Sequence, residues 1–328
     1  MSRDERSTAG GSGGSTGDGE GAAARSGAVN ASLIAAVGSL LEPVEAVIRP
    51  LHRVCVAYSG GVDSSVVLAV AARVLGSANA LAFTAVSETY REEELEAARE
   101  FTRSLGVAHR TWQTSELADP RFAANDRERC YHCKRHLLEA MKTAAAGAGI
   151  EVLVDGLNRD DLDDERPGTR AAAEFGVRHP LVEAGLGKAA VRALARALDL
   201  PMWDRPSQAC LASRIAYGET ITADGLHQVA AAEDVLRDLG FAGELRARHH
   251  GDVVRIELSA DEVERAAGAE VREALVRRLR ALGFTYVALD LQGFRSGSLN
   301  EAPPRAPAPP AGLHSVGPDE TGRGGVGG

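Results

Sequence analysis

Five groups of residues have types and spacings that could do chemistry. Ser59-Gly60-Gly61-Val62-Asp63-Ser64-Ser65 joins two glycines to three hydroxyls and a carboxylate. Gly60 and Gly61 let the backbone approach a phosphate closely, and Ser59, Ser64 and Ser65 add hydroxyl donors. Asp155-Gly156-Leu157-Asn158-Arg159-Asp160-Asp161 is a polar run whose carboxylates could hold Mg2+ or a ribose, although acidic runs are commonly solvated surface. Cys130 and Cys133 stand three apart, so a helix through them would put both thiols on one face. Cys210 has Arg205 and Arg214 on either side, and cations favour the thiolate that makes a cysteine nucleophilic. Arg246 and Arg248 alternate along a strand-like run as two forks suited to a phosphate, with Glu257 late in the next run.

Each group has a plainer alternative. Cys-x-x-Cys serves as a redox pair, half of a zinc site or part of an iron–sulfur ligand set, and two cysteines in a helix also arise by coincidence. No second Cys-x-x-Cys is present to argue for zinc. Three thiols, from Cys130, Cys133 and Cys210, would leave one iron of a cubane cluster without a protein ligand. A single cysteine is more commonly a small buried hydrophobe. Glu233 falls inside the apolar stripe of Leu226, Val229, Ala230 and Leu236. A carboxylate there is expensive unless it is paired or coordinating, which makes Glu233 a site candidate.

The elements that must position these groups are legible from periodicity. The β-branched run Val54–Tyr58 reads as a strand ending at Ser59, and Val66, Val67, Val70 and Val74 mark a helix stopped by Gly76. Strand, loop and helix N-terminus together turn backbone N–H groups toward one point, which suits an anion. Ala31–Ile48 reads as a helix that Pro43 kinks or splits. Beyond the loop the pattern alternates: strand Ala80–Val86, helix Glu92–Leu105, strand His109–Thr114, helix Arg129–Ala146, strand Glu151–Val154. That alternation predicts an α/β fold, a parallel sheet flanked by helices, with ligands at the strand carboxyl ends near Ser59, Ser87 and Asp155. Residues 220–296 read as a smaller α/β domain, with helices Ala223–Leu239 and Ala260–Leu282 and strands Glu244–His249, Val253–Leu258 and Tyr286–Leu289. The larger domain then covers residues 29–219, and the Gly-, Ser- and Pro-rich tails 1–28 and 297–328 are expected to be disordered.

Bulk properties narrow the function classes. The 328-residue chain carries a net charge of −9, which argues against a nucleic-acid surface. No run of about 18 apolar residues suggests a membrane span, and no secretory leader is visible. Four cysteines in a chain this long are no disulfide framework, and a reducing cytoplasm is expected.

The glycine loop is no Walker A motif, because Gly-Lys-Ser/Thr is absent, and Gly-x-Gly-x-x-Gly is absent too. Ser-Gly-Gly-Val-Asp-Ser instead resembles the pyrophosphate loop of the PP-loop ATPases, which cleave ATP between the α and β phosphates and place AMP on a substrate oxygen. Taken with Arg129–Lys134, Asp155–Asp161, Arg166-Pro167-Gly168, Pro206–Arg214, Tyr217-Gly218 and Arg246-Ala247-Arg248-His249, the pattern resembles the LarE family from about residue 30 to 295. The resemblance implies an ATP-dependent sulfur transferase of nickel-pincer cofactor biosynthesis. It would adenylate a carboxylate of pyridinium-3,5-biscarboxylic acid mononucleotide and replace an oxygen by sulfur. ATP and Mg2+ would be cofactors, and Ser59, Gly60, Gly61, Asp63, Ser64, Ser65, Asp155, Asn158 and Asp161 the ATP-binding residues. Cys210 and Arg214 would be catalytic, with Cys210 sacrificed to dehydroalanine or, with Cys130 and Cys133, ligating a [4Fe-4S] cluster. Arg246 and Arg248 would take the substrate phosphate, and Glu233 and Glu257 match a carboxylate set associated with a divalent metal. A homo-oligomer is implied, acting after a pyridinium carboxylase and before a nickel-inserting protein.

Three rivals come from other readings of the same loop. A PP-loop tRNA thiolase should show a basic face or an RNA-binding appendage, and neither is visible. A non-catalytic nucleotide-binding regulator would need no cysteine chemistry, and a glutamine-fed amidotransferase would need a glutaminase domain.

Overall fold

The computed structural model describes residues 38–86, 90, 92–162, 167–205, 210–295 and 297–300. The N-terminal tail, the C-terminal tail beyond residue 300, Ser87, Arg166 and Pro206–Ala209 lie outside the described residues. In chain order the elements are α1 (38–48), β1 (Val54–Ala57), α2 (Val62–Leu75), β2 (Ala80–Val86), α3 (Glu92–Ser104) and β3 (Ala108–Gln113). They continue with α4 (Pro120–Ala123), α5 (Arg129–Gly147), β4 (Val152–Val154), α6 (Pro167–Glu174), α7 (Pro180–Glu183) and α8 (Lys188–Ala197). The last are α9 (Ala223–Asp238), β5 (Arg246–His250), β6 (Val253–Glu257), α10 (Val263–Ala267), α11 (Ala269–Ala281) and β7 (Tyr286–Leu289). No described helix is long and apolar enough to cross a membrane.

The chain forms two compact units, the first made of residues up to Thr114 together with Lys134–Gln208. Its sheet has the order β3-β2-β1-β4, with every pair parallel, as the alternation of strands and helices requires. Val54 pairs with Ala80 on one side and Val152 on the other, so β1 is central and the connections leave it in opposite directions. That reversal opens a crevice at the carboxyl end of β1. The periodic valines Val66, Val67 and Val70 are fully buried and join Val54, Val56, Leu181, Val191 and Leu194 in one core. Gly76, at φ 84°, ends α2 as its sequence position suggests. Pro43 does not split α1, which is unbroken across 38–48.

The second unit is made of Ser115–Cys133 and the residues from Ala209 onward. Its three-stranded sheet has the order β5-β6-β7, with β5 antiparallel and β7 parallel to β6. Ala247, Val254, Ile256, Leu236, Leu275 and Leu279 form its main core. The expected long helix over 260–282 is instead a 3-10 turn followed by α10 and α11, separated by Gly268 in an extended conformation with ψ 142°.

The division of the chain also differs from a boundary near residue 220, because Ser115–Cys133 and 210–219 join the second unit. Asn125 explains this. Its side-chain amide donates to the carbonyls of Ala216 (2.8 Å) and Glu219 (2.9 Å), and the Ile221 N–H donates to the Ala123 carbonyl at 2.9 Å. Phe122, Ala212, Ile215, Ile221, Leu226 and Val229 then bury one another in a small separate core. Such pairing between residues about 90 apart leaves no local trace in a sequence.

Candidate functional site

The carboxyl ends of β1 and β4 open into a cleft of about 340 Å3 in the first unit. Ser59, Gly61, Asp63 and Ser64 line one side, Thr84 and Tyr90 another, and Lys134, Asp155, Gly156 and Asp161 face them. Ligand sites commonly fall in this size range. Gly60 takes φ 74°, a conformation natural to glycine, and Gly61 starts α2 without a side-chain cap. The Ser59 and Ser64 hydroxyls meet at 3.1 Å, the Ser64 Oγ accepts from the Ser59 N–H at 3.3 Å, and the Ser59 Oγ accepts from the Gly61 N–H at 3.3 Å. Tyr90 donates to the Ser59 carbonyl at 3.3 Å and closes the loop from outside. The result is a small cradle of N–H and O–H groups at a helix N-terminus, a fit for a polyphosphate. Ser65 is fully buried and is not among the residues lining the cleft. Cys55, buried in β1, has its thiol pushed up to about 12 by desolvation and is inert.

The acidic run is built into the same cleft rather than left as surface. Asn158 is fully buried; its amide donates to Asp63 at 3.2 Å and its Oδ1 accepts from the Asp160 N–H at 3.0 Å. Burial and the nearby Asp161 raise the Asp63 carboxyl above its ordinary range, while the Asn158 bond and Lys188 oppose them. Two close carboxylates beside a phosphate cradle fit Mg2+, which takes one or two carboxylates plus substrate phosphates. Among the described residues, though, no group of three or more His, Cys, Asp or Glu converges as a metal cage.

Asp155 has a different setting. Its Oδ2 pairs with the Lys134 ammonium at 3.1 Å, and its Oδ1 accepts from the His179 Nδ1 at 2.7 Å and the Leu157 N–H at 3.1 Å. Burial alone would raise this carboxyl, but Lys134, His179 and Leu157 outweigh it and hold it well below the usual range. A depressed carboxylate stabilises the fold above its unfolded pKa, and that contribution is lost as pH falls through the folded value. Asp155→Asn should therefore lower the urea midpoint at pH 7, and the gap to the parent should begin to close below about pH 4. Lys134 was legible only as the residue after the cysteine pair. It is the one basic side chain among the described residues that line the cleft.

The second unit gathers the thiols and the arginine–carboxylate groups. Cys133 donates to Glu116 Oε1 at 3.3 Å and packs against the Phe122 core, while Cys130 and Cys210 are exposed residues. Burial, Glu116, Cys210 and Cys130 all raise the Cys133 thiol. Crowding around its sulfur likewise raises Cys210, opposed by the Ala212 N–H and by Arg129. Cys130 and Cys210 are thus both near enough to Cys133 to raise its thiol. The three thiols match the ligand number of a cubane cluster with one open iron, although the side chains as they stand form no closed cage. Glu116 was not legible as a partner, since nothing near it in sequence marks it.

Arg205 belongs to the first unit, where its charge is felt at Tyr58 and Tyr90. Arg214 is buried and holds Glu233 through two bonds of 2.7 and 3.2 Å, while its Nη1 donates to the Cys210 carbonyl at 3.3 Å. Glu233 is therefore paired, as its place in an apolar stripe demanded. Arg248 is also buried. It donates to Glu257 at 2.8 and 3.0 Å, to the Ser213 carbonyl at 2.9 Å and to the Ser298 hydroxyl at 3.1 Å. Glu257 accepts further from Ser298 at 2.6 Å and from Arg255 at 3.1 Å. Both carboxylates are thus held by guanidinium groups. Arg246 stacks over Phe294 at 4.8 Å, and burial together with Arg214 and Arg248 lowers its pKa. Each of these guanidiniums has a carboxylate beside it, Arg214 with Glu233, Arg248 with Glu257 and Arg246 with Glu244 at 3.5 Å.

Comparison with known proteins bears on this geometry. The asparagine synthase family model matches residues 39–144. The uncharacterized protein slr1717 of Synechocystis sp. (strain ATCC 27184 / PCC 6803 / Kazusa) is 44% identical over 262 residues, covering 80% of this chain and 97% of that protein. The pyridinium-3,5-bisthiocarboxylic acid mononucleotide synthase of Lactiplantibacillus plantarum (strain ATCC BAA-793 / NCIMB 8826 / WCFS1) is 39% identical over 256 residues, 78% of this chain and 92% of that protein. The uncharacterized protein MJ0830 of Methanocaldococcus jannaschii is 26% identical over 245 residues. On this identity and coverage, and with the glycine- and serine-rich turn in place at the end of β1, the chain belongs to the LarE family within the PP-loop ATP pyrophosphatases.

Proposed function

We propose that the chain is an ATP-dependent sulfur transferase that converts a carboxylate of pyridinium-3,5-biscarboxylic acid mononucleotide to a thiocarboxylate. The observation that carries the reading is the cradle of Ser59, Gly61 and Ser64 at the carboxyl end of β1, with Lys134 across the cleft. The substrate carboxylate oxygen attacks the α phosphorus of ATP, the α–β bridge breaks, and its electron pair leaves with pyrophosphate. A carboxylate is a poor electrophile, and the resulting acyl-adenylate has AMP as a leaving group. Lys134 neutralises charge on the phosphates, and Asp63 and Asp161 would hold Mg2+, which would supply further charge neutralisation there. Arg246, beside Arg214 and Arg248, takes the phosphate of the substrate.

Sulfur comes from the group of Cys130, Cys133 and Cys210. A [4Fe-4S] cluster on these three residues would supply sulfide. Without one, the Cys210 thiolate attacks the acyl carbon and expels AMP; loss of the Cys210 Cα proton to water and cleavage of its Cβ–S bond, whose electron pair leaves with sulfur, then release the thiocarboxylate and leave dehydroalanine. Arg214 holds the Cys210 carbonyl and so fixes the turn that presents the sulfur.

The test uses anaerobically purified chain with ATP and the dicarboxylate. Pyrophosphate, AMP and thiocarboxylate should appear together, and Cys210→Ala should release pyrophosphate at the parent rate while forming thiocarboxylate at least about a hundredfold more slowly, as loss of a nucleophile implies. Iron content and intact mass before and after turnover separate the two sulfur sources. Undiminished thiocarboxylate formation by Cys210→Ala would overturn the assignment and leave a nucleotide-binding protein.

A further inference from the structure

The contacts of Asp155 point beyond that reading, although they rest on the cleft being the ATP site. We infer that His179 is a positioning residue for pyrophosphate release, acting on the Lys134 ammonium through Asp155. His179 is not among the residues lining the cleft, whereas Asp155 and Lys134 are. Its Nδ1 lies 2.7 Å from Asp155 Oδ1, and the opposite oxygen of the same carboxylate holds Lys134 at 3.1 Å. A carboxylate that only neutralised Lys134 could swing about its χ angles. This one is gripped on Oδ1 by His179 and by the Leu157 N–H, so the plane that Lys134 meets is set.

The backbone explains why the imidazole can do this. Residue 178 lies alongside the end of β4: Val154 and Arg178 form a parallel bridge, the Asp155 N–H donates to the Arg178 carbonyl at 3.2 Å, and the Arg178 N–H donates to the Leu153 carbonyl at 2.9 Å. His179 therefore arrives beside Asp155 by strand register. Its own N–H donates to Glu183 at 3.2 Å, Arg178 grips the same Glu183, and Pro180 restricts the backbone from the other side. The ring has a rigid base. Through Nδ1–H it presents one proton to Asp155 Oδ1, while Lys134 gives one of its three donors to Oδ2 and keeps two for phosphate.

Placing a cation opposite a developing negative charge is sensitive to small displacements, and a shift of about 1 Å can cost on the order of a hundredfold. Release of one constraint on Asp155 should cost less. The full chain with ATP and the dicarboxylate substrate is assayed for pyrophosphate, together with ATP affinity measured by direct titration. His179→Ala should lower kcat for pyrophosphate release on the order of tenfold, with KM for ATP changed less than about threefold. His179→Asn, whose amide can donate from nearly the position of Nδ1, should recover most of the rate. In a Lys134→Ala background, His179→Ala should cost nothing further, because its route of action is gone.

Equal losses from His179→Ala in both backgrounds, or an Asn variant no better than Ala, would overturn the inference while leaving the ATP site intact. A parent chain that neither binds ATP nor releases pyrophosphate would overturn the ATP-site reading, and this inference with it. Loss of a partner of Asp155 is expected to lower the unfolding midpoint as well, so every variant is assayed well below its own transition, where circular dichroism shows it folded.

Discussion

Gly156→Ala should weaken nucleotide binding on the order of a hundredfold while leaving the second unit folded. A Cβ at residue 156 would stand 2.6 Å from the Ser64 backbone nitrogen and 3.0 Å from Asp63 C and Ser64 Cα. Real carbon–nitrogen contacts are never that close, and the obstacle is backbone that cannot rotate away. The loop after β4 and the first turn of α2 approach each other here because residue 156 has no side chain. Alanine must therefore push that turn, with the Ser64 hydroxyl and the N–H groups around it, out of the cradle, or push Asp155 and its grip on Lys134 out of line. Overpacking of this kind costs about 1–3 kcal/mol in stability. The loss in ATP affinity should be larger, on the order of a hundredfold, because several donors move together. Isothermal titration with ATP checks it, and affinity within threefold of the parent would show that the two loops are not tightly opposed in solution. The glycine was visible in the sequence only as one of a polar run, and its closeness to Ser64 is a contact between residues 92 apart.

Glu257→Ala should be the most destabilising single change in the second unit. Glu257 has no exposed surface, and its two oxygens receive Arg248, Arg255 and Ser298. Removing the carboxylate leaves the buried Arg248 guanidinium without its counter-charge, a loss of about 3–5 kcal/mol. It also frees Ser298, so the segment near residue 298 loses its anchor to β6. The midpoint of chemical denaturation followed by the second unit's signal measures this. Glu257→Gln should recover part of the loss by keeping an acceptor for Ser298. A midpoint shift no larger than that of a surface substitution would contradict the pairing. Were Glu257 a ligand to a divalent cation instead, added Mg2+ or Mn2+ should raise the parent's midpoint. With Arg248 and Arg255 already on its oxygens, no such rise is expected.

The legibility of the site differed from residue to residue. Ser59–Ser64 could be placed because everything that shapes the cradle is local: a β-branched strand, two glycines and a helix start within about ten residues. Glu233 was legible as an anomaly, a charge on an apolar stripe, but its partner Arg214 was not, since 19 positions and a turn separate them. Arg248 read as an open phosphate fork and is instead occupied by Glu257, Ser213 and Ser298. Alternation along a strand says which face a side chain takes but not what waits there. Ser65 shared the composition of the loop yet sits in the core, because the helix turns it inward one residue after Ser64.

By itself the sequence determined the order of strands and helices in the first unit, the glycine turn between β1 and α2 and the presence of three widely spaced thiols. Short-range geometry suffices for these, since periodicity and glycine positions act within a few residues. Only the tertiary structure decided that Ser115–Cys133 belongs with the residues after Ala209, that Glu116 bonds Cys133, and that His179, Asp155 and Lys134 form one chain of contacts. Those pairings depend on which distant backbones the packed cores bring side by side, and a side chain's type does not state the identity of its neighbour.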